Sequence, residues 1–318
     1  MPLLFLLAGL ALLTLGGDLL VRGAVSLAVR LRVSTLVIGM TVVSFATSCP
    51  ELLVSLNAAF QGHTDITFGN VIGSNIANLG LVLGLTAGIF GLSISRNSLR
   101  FDWPMMILST ALFLGLVSIN YRLGFWDGVL FVVLLISFNV FLISASRRDA
   151  ARKIHDTTEE DEEDIPDSPG RTALYLLAGA AALFYGSEWL IDGAITLARR
   201  WEISERVISV SMVSVGTSVP ELAASLVAAF KKEQSISIGN LIGSNIFNIL
   251  AVLGITALIT PIEVSDPHLL AVDVWWMLGV ALLLAPFLYL NAKRQLYRWQ
   301  GVILLLVYIF YVILLFTP

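Results

Sequence analysis

Charge is what this chain has least of. Only 13% of its 318 residues are Asp, Glu, Lys or Arg, while 57% are hydrophobic. A soluble domain carries roughly 25% charged residues, so the composition is that of a membrane protein. A basic surplus is missing as well: 19 Lys and Arg stand against 23 Asp and Glu, for a net charge of −4. Nothing in that balance suggests nucleic-acid binding. The single cysteine, Cys49, excludes an intrachain disulfide, and three scattered histidines give no zinc spacing. Nucleotide-binding and hydrolytic motifs are absent, which argues against primary pumping and enzymatic activity. No basic stretch precedes the apolar run that begins at Leu3; Arg22, Arg30 and Arg32 follow it. That order predicts a first transmembrane helix with its N-terminus outside, not a cleaved signal peptide.

Long apolar runs are what the sequence has in abundance. A bilayer-spanning helix needs about 20 such residues. By that ruler ten spans are expected: 3–29, 35–60, 66–90, 103–120, 124–146, 172–198, 205–230, 236–259, 269–290 and 298–316. With the N-terminus outside, the inner loops hold fourteen Lys and Arg and the outer loops four, the remaining Arg22 lying within the first span. This bias predicts both termini outside. The segment 147–170 includes Thr157-Thr-Glu-Glu-Asp-Glu-Glu-Asp164 and ends in Pro166 and Pro169. It reads as an acidic cytoplasmic linker, a solvated spacer rather than a Ca2+-binding regulatory element.

The chain writes one stretch twice. Gly39 to Gly80 matches Ser209 to Leu250 at a constant offset of 170, with 21 of 42 positions identical. The match reaches outward: Gly16-Gly-Asp-Leu-Leu-Val-Arg-Gly-Ala parallels Gly186-Ser-Glu-Trp-Leu-Ile-Asp-Gly-Ala. Each half, 1–146 and 171–318, holds five expected spans, and an odd number inverts the second half in the membrane. The expected fold is therefore an all-α integral membrane protein of ten helices, arranged as two inverted-topology five-helix repeats. Such repeats, with a site at their midplane, are a transporter architecture.

Both copies put a glutamate where a carboxylate is least comfortable. Thr47-Ser-Cys-Pro-Glu51 and Thr217-Ser-Val-Pro-Glu221 lie inside apolar spans. An ionisable group there costs several kcal/mol and by default marks a functional site. Pro50 and Pro220 each remove a backbone donor and clash with the carbonyl four residues earlier, that of Ala46 or Gly216. The kink frees backbone oxygens one turn before each glutamate. Carbonyls, hydroxyls and a carboxylate together form a hard-oxygen site of the kind Na+ and Ca2+ prefer. The second segment of each copy adds Gly73-Ser-Asn with Asn78, and Gly243-Ser-Asn with Asn248; Ser74 and Asn78 share a helical face, as do Ser244 and Asn248. For a single serine, packing between helices is an equally good reading; for Glu51 and Glu221 together it is a poor one. Asp18 and Arg22 are spaced to pair along one helix face. Asp65, Asp102, Asp266 and Asp273 are expected in solvated loops at the membrane edges.

At these residues the sequence resembles the sodium/calcium exchanger branch of the cation/Ca2+ antiporter superfamily. Thr47-Ser-Cys-Pro-Glu51, Thr217-Ser-Val-Pro-Glu221 and the two Gly-Ser-Asn-Ile segments are similar to that family's alpha-repeats, and the likeness extends over essentially the whole chain. The resemblance implies K+-independent exchange of Na+ for Ca2+ by alternating access in the cell (inner) membrane. It implies no cofactor, and no protein partner is expected beyond the surrounding bilayer. It assigns Ca2+ to Glu51 and Glu221 with the backbone carbonyls of Thr47 and Thr217. Na+ falls to Ser48, Ser74, Ser218 and Ser244, with backbone oxygens of Ser44 and Ser214 nearby and Asn78 and Asn248 at the centre. Asn248 departs from members that have Asp there, which argues against K+ co-transport. Two alternatives stay open. The same fold coupled to H+ would not need a Na+ gradient, and a passive cation channel would carry flux without a counter-ion.

Overall fold

The computed structural model describes residues 2–156, 167–200, 216–264, 266, 268–289 and 294–315. The apolar runs become helices because a backbone inside lipid must satisfy its own hydrogen bonds. In order they are α1 (Pro2–Leu31), α2 (Thr35–Thr47), α3 (Cys49–Phe60), α4 (Thr64–Phe90), α5 (Ser98–Asn120), α6 (Phe125–Asp156), α7 (Pro169–Arg200), α8 (Val219–Phe230), α9 (Gln234–Ile259), α10 (Leu269–Tyr289) and α11 (Arg298–Leu315). Among the described residues eight helices are long and apolar enough to cross a membrane, and the bent pair α2–α3 makes a ninth. The chain is an all-α multi-pass membrane protein. Of the expected span 205–230, residues 205–215 lie outside the described residues, as do 157–166 of the acidic segment. Helix α6 runs past 146 to Asp156, carried by Ala150, Ala151, Arg152 and Lys153, all good helix formers.

Four two-residue strands fix which ends of the helices lie together. β1 (Leu92–Ser93) pairs antiparallel with β4 (Gln295–Leu296), and β2 (Arg122–Leu123) with β3 (Ile262–Glu263). Because α5 connects β1 to β2, the two ribbons cap opposite ends of the bundle. The Ser93 N–H donates to Gln234 Oε1 at 2.9 Å, so α9 starts at the β1/β4 end. The Thr64 hydroxyl donates to the Glu263 carbonyl at 2.7 Å, so α4 starts at the other. The matched segments α4 and α9 thus run in opposite directions.

Helices α1 and α7 lie against each other along their length with backbone nearly touching backbone. A Cβ on Gly16 would come within 2.8 Å of the Leu183 nitrogen, and one on Gly179 within 2.7 Å of the Leu20 nitrogen. Only glycine permits this approach, and in lipid such packing is what holds helices together. The pair meets the rest of the protein largely through α8, where Val227 covers Gly17. Asp18 pairs with Arg22 at 2.7 Å, as the spacing predicts, and also reaches across to Lys231. Elsewhere the core centres on α4 and α9, with Phe68 stacked on Phe113 and Ile76, Leu79, Ile249 and Leu250 fully buried. Leu7, Trp126 and Val133 face outward, as lipid-facing residues do.

Two acidic residues are not where the sequence suggests. Asp102 is fully buried, and neither of its carboxylate oxygens has a hydrogen-bond partner among the described residues. Asp273 is 7% exposed and accepts from the Tyr311 hydroxyl at 3.1 Å. Both close a π-helical turn, Ser98–Asp102 and Leu269–Asp273, at the start of a span. For Asp102 the helix begins earlier than the apolar run, so hydropathy assigns to a loop a residue that the fold turns inward.

Candidate functional site

Proline and glutamate together break and re-start a helix. Between α2 and α3 the axis bends by 44°, and Ser48 at the break has φ −92° and ψ 6°. Ser218, before α8, has nearly the same backbone, φ −87° and ψ 2°. Pro50 and Pro220 fall in the first turn of the following helix, where a missing N–H costs nothing. Glu51 and Glu221 occupy the same first turns. There the positive end of the helix dipole offsets part of the cost of a buried carboxylate. The last turn of α2 points carbonyls toward the same region, and broken helices that offer C-terminal carbonyls are a recurrent way to hold cations in membranes.

The two glutamates are fully buried and close enough to act on one another electrostatically. Ser48 Oγ donates to Glu221 Oε1 at 2.9 Å, and Ser244 Oγ reaches the same oxygen at 3.5 Å. Thr47 Oγ1 donates to Asn240 Oδ1 at 3.0 Å and lies 3.4 Å from Ser244 Oγ. Across the site Ser74 Oγ and Thr217 Oγ1 share a hydrogen bond of 3.0 Å. Below them Asn78 and Asn248 start π-helical turns, Asn78–Leu83 and Asn248–Leu253. Such turns shift the bonding pattern by one residue and recur at functional sites.

What remains unbonded defines the chemistry. Both oxygens of Glu51, Oε2 of Glu221, Oδ1 of Asn78, Oδ1 of Asn248 and Oγ of Ser218 are buried without a hydrogen-bond partner among the described residues. No Lys, Arg or His among them forms an ion pair with either glutamate. A buried polar oxygen without a partner costs about 1–3 kcal/mol, more when charged. A cluster of them persists only where some other species takes the lone pairs. All are hard oxygen donors, and no group of three His, Cys, Asp or Glu stands together among the described residues. That donor set suits Na+ or Ca2+ rather than zinc or copper.

Comparison with known proteins agrees with this chemistry. The family model described as "Sodium/calcium exchanger protein" matches residues 1–144 and 171–317. The chain belongs to the sodium/calcium exchanger family. It is 31% identical over 346 residues to the sodium/calcium exchanger MaX1 of Methanosarcina acetivorans, covering 98% of each chain. It is 35% identical over 282 residues to the inner membrane protein YrbG of Escherichia coli, covering 88% of this chain and 86% of the other. Among solved structures, the sodium-calcium exchanger NCX_Mj soaked with Na+ and Ca2+ superposes with a TM-score of 0.81 at 30% identity, over 99% of both chains.

Set in the exchanger fold, the residues singled out from sequence come together with few exceptions. Thr47, Ser48, Glu51, Ser74, Asn78, Ser218, Glu221, Ser244 and Asn248 are all buried in the cluster, and Thr217 lines it half-buried. Ser44 is buried beside it, but its carbonyl already accepts from Ser48 N at 2.9 Å, and its hydroxyl bonds to the carbonyls of Gly39 and Asn240. Ser214 lies outside the described residues. Sequence reasoning passed over the braces. Asn70 Nδ2 donates to the Glu51 carbonyl at 3.1 Å and to Ser55 Oγ at 3.0 Å, and Asn240 Nδ2 donates to Ser225 Oγ at 3.1 Å. Both asparagines sit at matched positions of the repeated stretch, which is the signal that would have found them.

Proposed function

We propose that this chain exchanges Na+ for Ca2+ across the cell membrane without K+, by alternating access at the Glu51/Glu221 site. The observation that carries the proposal is the set of unpartnered buried oxygens on both glutamates and both central asparagines. Glu51, Glu221 and the backbone carbonyls of Thr47 and Thr217 bind Ca2+. Ser48, Ser74, Ser218 and Ser244 take Na+, and Asn78 and Asn248 complete the centre; the backbone oxygens of Ser44, which already accepts from Ser48 N, and of Ser214, outside the described residues, stay at its margin. Two carboxylates neutralise one Ca2+ and leave three Na+ at +1, so both ions need the same groups and exclude one another. Asn248, an amide where a third carboxylate would stand, supports independence from K+.

The architecture of the proposal is ten spans in two inverted five-helix halves, 1–146 and 171–318. The opposite directions of α4 and α9 and the sharing of each strand ribbon between the halves support it. Both termini face outside and the acidic linker within 147–170 is cytoplasmic, in keeping with the Lys and Arg distribution. The test is Ca2+ uptake into proteoliposomes loaded with Na+, beside vesicles carrying only a pH gradient. Uptake that needs internal Na+ and disappears in Glu51→Gln is expected. Equal uptake under the pH gradient alone would replace Na+ by H+ as the coupling ion, and Ca2+ flux without any counter-ion would make the protein a channel.

A further inference from the structure

An asparagine beside a cation has a problem that a carboxylate lacks. Its side chain ends in one acceptor and one NH2 group of nearly the same shape, and only the oxygen attracts the ion. Turned the other way, the amide presents two N–H dipoles to a positive charge. A site that uses Asn78 and Asn248 therefore needs something that decides which end faces inward.

The buried amides of Asn75 and Asn245, neighbours in the same motif that sequence resemblance leaves without a role, meet that need. Asn78 Nδ2 donates to Asn245 Oδ1 at 3.4 Å, and Asn248 Nδ2 donates to Asn75 Oδ1 at 3.1 Å. Each central amide is thus held by the asparagine of the other matched segment, and its NH2 group is engaged away from the unpartnered Oδ1. The orienting pair is itself oriented. Asn75 Nδ2 donates to the Asn245 carbonyl at 3.3 Å, and Asn245 Nδ2 is turned to Met106 Sδ at 3.6 Å. Reversing any one of the four would set donor against donor or acceptor against acceptor, with no water at hand, since all four are at most 2% exposed.

We propose that Asn75 and Asn245 are positioning residues that fix the amide oxygens of Asn248 and Asn78 toward the transported cation. This rests on the ion site proposed above. The crossed bonds also tie α4 to α9, so the oxygens keep their spacing as other helices move. A carboxylate at 78 or 248 has two equivalent oxygens and needs no such control, which gives the test its logic.

The experiment compares 45Ca2+ binding to purified protein and Na+-driven Ca2+ uptake in wild type, Asn245→Leu, Asn78→Asp and the double variant. Losing one orienting hydrogen bond is expected to raise the Ca2+ Kd and KM of Asn245→Leu about tenfold, with the maximal rate within about twofold. In the Asn78→Asp background the same Leu substitution causes no loss of affinity, because the carboxylate donates nothing to Asn245 Oδ1 and Leu removes only an acceptor set against an acceptor. Asn245→Asp keeps an acceptor for Asn78 and restores most of the affinity lost in Asn245→Leu. Equal loss in both backgrounds would show that Asn245 only packs, and no loss in the wild-type background would show that the amide needs no guide; either overturns the proposal. If Asn245→Leu does not fold, Asn75→Leu with and without Asn248→Asp reads the same coupling. Glu51→Gln is the control: Ca2+ binding that survives it refutes the ion site itself, whatever the asparagine cycle gives.

Discussion

Replacing Glu51 by Gln keeps the shape of the side chain and removes one of two negative charges buried at the centre of the bundle. Neither oxygen of Glu51 accepts a hydrogen bond of good geometry from the described residues, and Glu221 Oε2 is in the same position. Two like charges repel by about 4 kcal/mol at a separation of 4 Å and an effective dielectric constant near 20, and by about half that at 8 Å. Gln removes that repulsion and supplies an NH2 group to a region rich in unbonded acceptors, Asn78 Oδ1 among them. At a pH where both carboxylates of the wild type are ionised, the ion-free variant should therefore be more stable than the wild type by about 2 kcal/mol, roughly 4 °C in Tm for a chain of this size. Ligand stabilisation moves the other way. Ca2+ at a hundred times its Kd stabilises the wild type by about 2.7 kcal/mol, and the variant, which has lost half of the charge that attracts the ion, should show no such shift. The assay is thermal unfolding in detergent followed by the fluorescence of the seven tryptophans, in chelator, in Ca2+ and in Na+. A variant that melts below wild type without ions and keeps the Ca2+ shift would refute the reasoning, because Glu51 would then be a structural group and Ca2+ would bind elsewhere.

The two serines at the helix breaks should behave unequally: Ser48→Ala removes the donor to Glu221 and should destabilise by about 1–3 kcal/mol, while Ser218→Ala, whose hydroxyl has no partner among the described residues, should change Tm little. Thermal melts of the two variants side by side check this. Asn248→Asp adds a third buried carboxylate and sets it against Asn75 Oδ1, so the ion-free protein should lose about 2–4 kcal/mol while Ca2+ binds more tightly, read from melts with and without Ca2+. Gly179→Val forces a side chain into the Leu20 and Gly16 backbone and should cost about 1–3 kcal/mol; folded yield on size-exclusion chromatography and Tm report it.

Much of the site is legible in sequence because a repeat turns weak signals into strong ones. One Pro-Glu in an apolar run is a curiosity; the same pair at an offset of 170, each with Thr-Ser before it, singles out Glu51 and Glu221 and predicts a backbone loosened one turn before each, as the bend at Ser48 bears out for the first. Side-chain partners are different. Nothing local says that Asn78 turns its NH2 group to Asn245, or that Thr47 bonds to Asn240, because those contacts join residues 167 and 193 positions apart. The π-helical turns at Asn78 and Asn248 leave no mark either, since a shift in backbone bonding needs no particular residue. Asp102 departs from the sequence expectation for a related reason. Hydropathy gives an acidic residue at the edge of an apolar run to water, whereas the helix starts at Ser98 and carries Asp102 inside.

Burial of the two glutamates bears directly on why the protein exchanges ions instead of merely passing them. A site sealed on both sides encloses Glu51 and Glu221 in a medium where each unpaired carboxylate costs several kcal/mol. Closing around a cation cancels that cost, whether the charge arrives as one Ca2+ or as several Na+. Closing around nothing does not. The helix dipoles at the first turns of α3 and α8 and the Ser48 and Ser244 hydroxyls on one Glu221 oxygen offset only part of it, since the other three carboxylate oxygens remain without donors among the described residues. With both carboxylates ionised, the occluded state is therefore reached with ions far more readily than without, and in the site proposed above this favours return across the membrane with a second ion in exchange for the first. In the site proposed above, coupling follows from the same unpartnered oxygens that would select the ions. In the proposed site Asn78 and Asn248 add acceptors without adding charge, so that one bound Ca2+ makes the site neutral.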